Sequence, residues 1–148
     1  MEKIYDVVIL GAGPAGLSAA LYSGRARLST LVIEKAKAGG QIMMTDEIEN
    51  YPGANEQESG PSLIERMEHQ AKHFGAEIIQ DTAESVELDG EIKTIRCGGG
   101  EYRGKTVIIA SGAYPISIGC SGEKELTGKG VSYCATSDAA CFEDFEVF

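Results

Sequence analysis

The feature that most limits how this chain can fold is an apolar strand that runs directly into a glycine-rich turn. Ile4 to Leu10 is an apolar stretch with β-branched residues, which is typical of a parallel strand covered on both faces. It leads into GAGPAG, from Gly11 to Gly16, and then into Leu17 to Arg27, which predicts a helix. Because Leu28 to Glu34 predicts a second strand, these segments together form one βαβ unit.

The turn matches the pattern GxGxxG, which is weak by itself because a glycine-rich turn can be only a turn. Here it follows a strand, opens a helix, and is followed by an acid, Glu34, at the end of the second strand. These three features together fit a dinucleotide-binding fingerprint. We expect Gly11 to permit the tight turn, Gly13 to let the backbone approach a pyrophosphate, and Gly16 to let helix and strand pack closely. The phosphates would lie at the helix N-terminus, and Glu34 would accept hydrogen bonds from the ribose. The residues expected in the phosphate turn are Gly11, Ala12, Gly13, Pro14, Ala15 and Gly16.

The middle of the chain predicts one long loop followed by a helix and a short strand. The loop runs from Lys35 to about Ser59 and is rich in Gly, Asn and Pro; loops of this length are usually functional or disordered. Pro61 opens a helix with an apolar stripe, and Gly75 is suited to end it. Ala76 to Gln80 predicts the next strand.

The following segment predicts antiparallel strands and then a return to the parallel sheet. Glu84–Asp89 and Glu91–Arg96 are joined at Asp89-Gly90, a strong hairpin signal. Glu101 to Lys105 predicts a third strand of this meander, and Thr106 to Ala110 a further buried strand. The predicted fold class is therefore α/β: a Rossmann-like domain with a parallel sheet, crossover helices and an antiparallel β-meander.

Composition excludes several classes of function. The net charge is −10, from 13 Lys and Arg against 23 Asp and Glu, and nucleic-acid binding needs clustered basic residues on one face. The N-terminal apolar run is too short for a signal peptide or a membrane span, so a cytoplasmic location is expected. In such a chain the four cysteines are expected to be thiols or redox groups rather than a structural disulfide framework.

Several motifs in fixed order resemble the FAD domain of low-molecular-weight thioredoxin reductases. They are GAGPAG, then Gly39-Gly40-Gln41, then ENYPG from Glu49 to Gly53, then VIIASGA from Val107 to Ala113. The continuation GVSYCATSD falls where that family carries Cys-Ala-Thr-Cys-Asp. The resemblance covers essentially the whole chain. It implies an FAD-binding flavoprotein whose parent activity passes electrons from NADPH through FAD to the disulfide of thioredoxin.

The resemblance also implies where the flavin would be held. Gly40, Gln41 and Asn50 would line the flavin, Ala83 would offer its backbone to the adenine, and Lys35 would follow the ribose-binding Glu34. Ala110, Ser111 and Gly112 would pass near the cofactor. A simpler interpretation of the Gly39-Gly40 and Pro52-Gly53 pairs is turn chemistry alone.

The family's redox motif is altered here. Cys134 fills the position of the thiol that attacks the partner protein, and Ser137 fills the position of the flavin-facing cysteine. Disulfide exchange passes through a mixed disulfide that a second thiol must resolve, and a serine cannot do this. Cys141 could substitute only through a local loop, because seven helical residues span about 10 Å, beyond the ~7 Å limit for a disulfide. Cys97 and Cys120 have no partner at a motif spacing and are expected to be inert.

Two further polar positions have alternative interpretations. Asp138 occupies the position of the family's proton-transferring acid, but it is equally suited to cap the N-terminus of a helix. His69 and His73 have a spacing that suits a metal, but they lie away from the apolar stripe, so a solvated helix face is expected and no metal site is predicted.

The resemblance implies an FAD-binding domain over residues 1–129 and the start of an NADPH and redox-motif domain over 130–148. The family's second glycine-rich fingerprint does not occur in this sequence. Two functions follow: the N-terminal part of a thioredoxin reductase-like flavoprotein, or a non-catalytic FAD- or nucleotide-binding module. Thioredoxin, or a similar disulfide protein, is the expected partner, and a homodimer is possible by resemblance.

Overall fold

The computed structural model describes residues 3–134, 138 and 142–147. By its internal contacts the chain divides into two compact units, Met1–Gly112 and Ala113–Phe148. The domain boundary expected after residue 129 stays a prediction. The elements in chain order are β1 (Ile4–Leu10), α1 (Pro14–Arg25), β2 (Thr30–Glu34), a 3₁₀ segment (Gly40–Met44), α2 (Gly60–His73), β3 (Glu77–Gln80), β4 (Ala83–Glu87), β5 (Lys93–Cys97), β6 (Gly100–Ile109) and α3 (Glu123–Leu126).

The first unit is built on a parallel sheet, as the βαβ pattern predicts. The strand order is β3-β2-β1-β6-β5-β4. The strand β1 pairs in parallel with β2 on one side and with β6 on the other, and β2 pairs in parallel with β3. The helices α1 and α2 form the two crossovers between these strands. The predicted fold class is confirmed.

The meander folds back over one face of this parallel sheet. The strands β3 and β4 lie at opposite ends of the strand order, yet only Asp81 and Thr82 separate them in the chain. Three Cα–Cα steps span at most about 11 Å, whereas five strand spacings in a flat sheet need about 24 Å. The six-stranded sheet must therefore curl on itself, so that the meander becomes a third layer opposite the helices.

Two apolar clusters fill the spaces between these three layers. Between the sheet and the helices, residues such as Ile9, Leu17 and Val32 are fully buried. Between the sheet and the meander, Leu31 of β2 packs in one cluster with Ile95 of β5. Successive side chains of β2 thus pack on opposite faces of the sheet, which is why Leu31, Val32 and Ile33 are all apolar.

The meander departs from the prediction in two ways. Glu101–Lys105 and Thr106–Ala110 were expected to be separate strands, but β6 is one ten-residue strand. The first half of β6 pairs antiparallel with β5 while the strand runs parallel to β1. The prediction that its second half is buried is also wrong, since Ile109 is 63% exposed.

The hairpin predicted at Asp89-Gly90 is confirmed, with β4 and β5 antiparallel. Its connection is longer than a two-residue turn, because β4 ends at Glu87 and β5 begins only at Lys93. Gly90 has a φ of +81° within it, a conformation that favours glycine.

The second unit is small and irregular in its described part. It contains the short helix α3 and a bridge between Thr127 and Val131. Within the described residues of both units, no helix is long and apolar enough to cross a membrane.

Candidate functional site

The glycine-rich turn lies at the carboxyl ends of the central strands and packs directly on the end of β6. Gly11 has a φ of +107°, and a Cβ added to it would lie 2.3 Å from the carbonyl oxygen of Ala110. Its N–H donates to the carbonyl of Ile33 at 2.9 Å. Gly11 is therefore required both by its backbone conformation and by the closeness of the neighbouring chain, as predicted.

The other two glycines of the fingerprint have different roles. A Cβ on Gly16 would lie 1.8 Å from the carbonyl oxygen of Gly11, so this glycine is needed for the helix to pack against the turn. A Cβ on Gly13 would meet only the carbonyl oxygen of Gly39, at an ordinary contact distance of 3.7 Å. The fold itself does not require glycine at position 13. The missing side chain leaves space beside the helix N-terminus, which suits a pyrophosphate that must approach the backbone.

The N-terminus of α1 is arranged for an anion. Pro14 begins the helix, and no side chain caps it in the described part of the chain. The N–H groups of a first helical turn have no partner within the helix, and together with the helix dipole they favour a phosphate. Pro14 and Ala15 also border a cavity, so a ligand held at this helix end would extend into it.

Glu34 lies beside this turn, at the end of β2. Its carboxylate accepts hydrogen bonds from the backbone N–H groups of Ala12 at 2.7 Å and Ala36 at 3.2 Å. A carboxylate has about four acceptor positions, so capacity remains for ribose hydroxyls. The bond from Ala12 holds the carboxylate against the glycine-rich turn, which is the position the fingerprint predicts, while its role toward a ribose stays a prediction.

The chain passes the same edge again after β3. The N–H of Asp81 donates to the carbonyl of Glu34 at 2.9 Å, and Ala83 follows two residues later, exposed at the start of β4. Lys35 is also exposed. The positions of these residues fit the predicted adenine end of the site, while their contacts with a ligand stay predictions.

The Gly39-Gly40-Gln41 loop is tied to the phosphate turn by a hydrogen bond from the N–H of Gly39 to the carbonyl of Ala12 at 2.9 Å. Gly39 has a φ of +127°, and a Cβ there would overlap the Met43 side chain. Gly40 has a φ of +65° with nothing within 4 Å of its Cβ position, and Gln41 is exposed. The turn conformation and the close Met43 side chain therefore explain why position 39 is glycine. Gly40 and Gln41 remain accessible to a ligand.

A mainly apolar cavity of about 370 Å³ opens between α1, the 3₁₀ segment and α2. Asn50 is on its wall, as expected of a residue that lines the flavin, whereas Gly40 and Gln41 are not. Several lining residues were not predicted, although Leu63 and Met67 belong to the apolar stripe predicted for the helix that Pro61 opens. The cavity is lined by Pro14, Ala15, Ser18, Ile42, Ile48, Asn50, Tyr51, Leu63 and Met67.

A buried carboxylate anchors the long loop that carries Asn50. Glu58 is 3% exposed, accepts a hydrogen bond from the N–H of Asn55 at 3.3 Å, and is also bonded by Ser62 and Arg66. The pKa of Glu58 is lowered, and the hydrogen bond from Ser62 is the main cause. Glu58 is not distinguished in the sequence from the other acidic residues. Its one local signal is the pair Ser59 and Ser62, which forms a capping box at the start of α2.

Ala110, Ser111 and Gly112 follow β6 at the carboxyl edge of the sheet. The N–H of Ala110 donates to the carbonyl of Leu10 at 2.8 Å, which continues the pairing of β6 with β1. Ser111 is exposed, and Gly112 has a φ of +71° with open space around it. The segment thus borders the phosphate turn through Ala110 and Gly11.

In the second unit, Cys134 is exposed and is held by its neighbours. Its N–H donates to the Oγ of Ser132 at 3.1 Å, and the Ser132 hydroxyl donates to the carboxylate of Asp138. The N–H of Asp138 donates to the carbonyl of Cys134 at 2.9 Å. Both interpretations of Asp138, proton-transferring acid and helix N-cap, stay predictions. Ser137 and Cys141 lie outside the described residues.

The remaining cysteines and histidines are structurally distinct from this segment. Cys97 is buried, and burial first, then the charges of Asp81 and Glu84, raises the pKa of its thiol to about 11. This is the environment of an unreactive thiol, as predicted. Cys120 is exposed, so its inertness stays a prediction. His69 and His73 lie on the exposed face of α2, with ring centroids 6.5 Å apart.

Comparisons with known proteins give one consistent family. The sequence pattern of the pyridine nucleotide-disulphide oxidoreductases matches residues 5–145. A thioredoxin reductase of Peptoclostridium acidaminophilum is 59% identical over 148 residues, which is 100% of this chain and 47% of that protein. A thioredoxin reductase of Bacillus subtilis (strain 168) is 52% identical over 147 residues, 99% of this chain and 46% of that protein.

Solved structures agree with the sequence comparisons. The crystal structure of thioredoxin reductase from Streptococcus pyogenes MGAS5005 matches with a TM-score of 0.84 at 42% identity, over 96% of this chain and 46% of that chain. The chain thus spans about half the length of the curated relatives it matches. The resemblance carried by the motifs GAGPAG, GGQ and VIIASGA is confirmed, and the chain belongs to the pyridine nucleotide-disulphide oxidoreductase family, in which it matches the N-terminal part of thioredoxin reductases.

Proposed function

We propose that this chain is the FAD-binding part of a thioredoxin reductase-like flavoprotein, which as a whole would pass electrons from NADPH through FAD to a protein disulfide. The observation that carries the proposal is the contrast between the three fingerprint glycines. Two are required by protein packing, while Gly13 leaves space only beside the helix N-terminus. A phosphate is the ligand that such a helix end favours.

Each part of the site has a distinct task in this proposal. The first-turn N–H groups of α1 bind the pyrophosphate, and Glu34 accepts hydrogen bonds from the adenosine ribose. Ala83 lies toward the adenine, while Asn50, Gln41 and the cavity beside α2 hold the ring system and keep water away from it. Bound FAD would supply two-electron transfer between a nicotinamide and a disulfide.

The cysteine segment would act on the partner protein. In a dithiol exchange the thiolate of Cys134 attacks one sulfur of the partner disulfide, a mixed disulfide forms, and the other partner sulfur leaves as a thiolate. A second thiol must then attack the Cys134 sulfur to release the reduced partner. Because Ser137 occupies the family's second cysteine position, we expect this chain to form the mixed disulfide and not to resolve it.

The alternative function is a flavin-binding module that does not react with disulfides at all. Mixing the purified chain with FAD, NADPH and oxidised thioredoxin tests turnover. Attack by Cys134 is tested with a thioredoxin variant that lacks its second active-site cysteine and carries the remaining one as a mixed disulfide with thionitrobenzoate, because the displaced thionitrobenzoate then leaves and no neighbouring thiol reverses the step. A yellow chain that traps thioredoxin in a reducible covalent complex supports the proposal, and a yellow chain that forms no complex supports the module. Multiple turnovers of thioredoxin would contradict the assigned role of Ser137, and a colourless chain would contradict flavin binding itself.

A further inference from the structure

A buried carboxylate in the second unit has no part in the mechanism described above. Glu123, the first residue of α3, is 4% exposed. One of its oxygens accepts a hydrogen bond from the N–H of Ile118 at 2.9 Å and from the hydroxyl of Tyr133. The other accepts from the N–H of Gly119 at 2.7 Å. A buried carboxylate needs such partners, since burying an unpaired charge is strongly unfavourable.

These bonds tie together the chain segments that precede and follow α3. The backbone ahead of α3 and the side chain of Tyr133 meet on one carboxylate. Those contacts hold the pKa of Glu123 down to about 2, the Tyr133 hydroxyl being the main cause, followed by the two backbone N–H groups. The carboxylate is therefore charged and a strong acceptor throughout the range in which the protein would work.

Tyr133 directly precedes Cys134, so this attachment acts on the segment that carries the exposed thiol. Ser132, one residue earlier, is attached to Asp138 and also accepts the N–H of Cys134. Between α3 and this segment the chain makes a tight turn, in which the N–H of Val131 donates to the carbonyl of Leu126 at 3.0 Å. The two residues before the thiol are thus each fixed by a carboxylate, one of them from α3.

We propose that Glu123 is a positioning residue for Cys134: by binding the Tyr133 hydroxyl it fixes the segment that presents this thiol to the partner disulfide. Glu123 touches neither the partner nor the thiol in this proposal. The proposal rests on the function assigned above only in taking Cys134 as the attacking group. The hydrogen bond between Glu123 of α3 and Tyr133 is observed in the structure and does not depend on that assignment.

The test compares two variants that break the attachment with one that does not. Glu123→Gln removes the charge and places an amide N–H₂ donor against the N–H and hydroxyl donors that the carboxylate now accepts from. Tyr133→Phe deletes only the hydroxyl. Glu125→Gln is the matched control, because Glu125 is an exposed acid in the same short helix. All are made in a background with Cys120→Ser and Cys141→Ser, so that Cys134 is the exposed thiol that remains.

The first measurement is the mobility of a nitroxide methanethiosulfonate label on Cys134, read from its electron paramagnetic resonance line shape. We expect broad lines in the background protein and in Glu125→Gln, and clearly narrower lines in Glu123→Gln and Tyr133→Phe. Equal line shapes in all four proteins would overturn the proposal. Because Tyr133→Phe is a minimal change, it keeps the test valid if Glu123→Gln fails to fold.

The second measurement is the rate at which Cys134 displaces thionitrobenzoate from a thioredoxin variant that lacks its second active-site cysteine and carries the remaining one as a mixed disulfide with that group, compared with the rate of Cys134 alkylation by iodoacetamide. We expect at least a fivefold fall in the first rate and less than a twofold change in the second for both attachment variants. Unchanged thioredoxin rates would overturn the positioning role. If no protein in the set reacts with thioredoxin, the proposed function fails, and the label mobility still decides whether Glu123 fixes the segment.

Discussion

Replacing Gly13 with alanine should weaken flavin binding by about 10- to 100-fold and leave the fold intact, whereas the same change at Gly16 should damage the fold. Both positions belong to one fingerprint, so a pattern alone does not separate them. The structure does, because a Cβ meets its nearest atom at 3.7 Å on Gly13 and at 1.8 Å on Gly16. The pair therefore distinguishes a glycine kept for the ligand from a glycine kept for packing.

The stability change at Gly13 is expected to be close to zero. Gly13 is the N-cap of α1 with a φ of −75°, a value that any residue adopts. Alanine at an N-cap is less favourable than glycine by roughly 0.5–1 kcal/mol. Alanine also reduces the entropy of the unfolded chain, which stabilises the folded protein by about 0.4–1 kcal/mol. These effects oppose each other, so the net change should stay within about 0.5 kcal/mol.

The cost at Gly16 has no such compensation. The obstructing atom is the carbonyl oxygen of Gly11, and Gly11 itself would have a Cβ only 2.3 Å from the backbone of Ala110. The turn cannot withdraw without moving the end of β6. Overpacking of this kind costs typically 1–3 kcal/mol and occasionally more, so Gly16→Ala should show a lower urea midpoint.

The assay is a urea denaturation and an FAD titration of the same protein samples. A backbone hydrogen bond to a charged group contributes about 1.5–3 kcal/mol, and each 1.4 kcal/mol is a factor of ten in affinity. Losing one phosphate contact should therefore weaken FAD binding by about 10- to 100-fold in Gly13→Ala. Wild-type affinity in a folded Gly13→Ala variant would refute the assignment of this turn to a phosphate.

Three further predictions concern single side chains. Ser137→Cys should allow a disulfide with Cys134, so a thiol count with Ellman's reagent should fall by two on oxidation; an unchanged count would contradict the pairing. Cys97 should be alkylated far more slowly than Cys134 at pH 8, since its thiol pKa is raised to about 11 by burial, and peptide mass spectrometry would show equal labelling if this is wrong. The pKa of Glu58 is lowered in the fold, so its stabilising contribution is present above its unfolded pKa of about 4.3 and is lost as the pH falls through the folded value. Urea midpoints should accordingly show Glu58→Gln less stable than wild type at pH 7, with the gap closing as the pH falls below the unfolded value of about 4.3; a constant gap would contradict the lowered pKa.

The parts of the fold that the sequence predicts well are those set by local patterns. Ile4–Leu10 is apolar over enough of its length to be recognised as a central strand, and the observed strand has those bounds. Gly11 and Gly16 are predictable because local backbone geometry requires them: Gly11 has a φ of +107°, and a Cβ on Gly16 would lie 1.8 Å from the carbonyl oxygen of Gly11. The apolar stripe and closing Gly75 of α2 are local in the same way.

The structure of β6 was less predictable because its constraints come from other strands. The sequence predicted two strands that meet between Lys105 and Thr106, whereas the fold has one. In the fold, a Cβ on Gly104 would lie 2.7 Å from the side chain of Val8, so this glycine allows close contact with β1 inside one continuous strand. The exposure of Ile109 depends on which elements cover the sheet face, and its own sequence neighbours do not encode that.

The buried carboxylates were missed for the same reason. Glu58 is near its partners in sequence but lies in a loop without periodicity, and Glu123 is recognised only when Tyr133 is seen to reach it. In a sequence with an excess of acidic residues, two buried ones do not differ visibly from the exposed ones. Burial and hydrogen bonding identify them, and these are properties of the folded chain.

The most direct test of the central claim, that the GAGPAG turn holds the diphosphate of FAD, is a comparison of FAD and FMN binding by isothermal titration calorimetry. FMN carries the same ring system but lacks the adenosine part and the pyrophosphate. We predict one FAD bound per chain, with FMN binding at least tenfold more weakly, because only FAD can use both the α1 N-terminus and Glu34. Equal affinity for the two flavins, or no FAD binding by the folded chain, would contradict it.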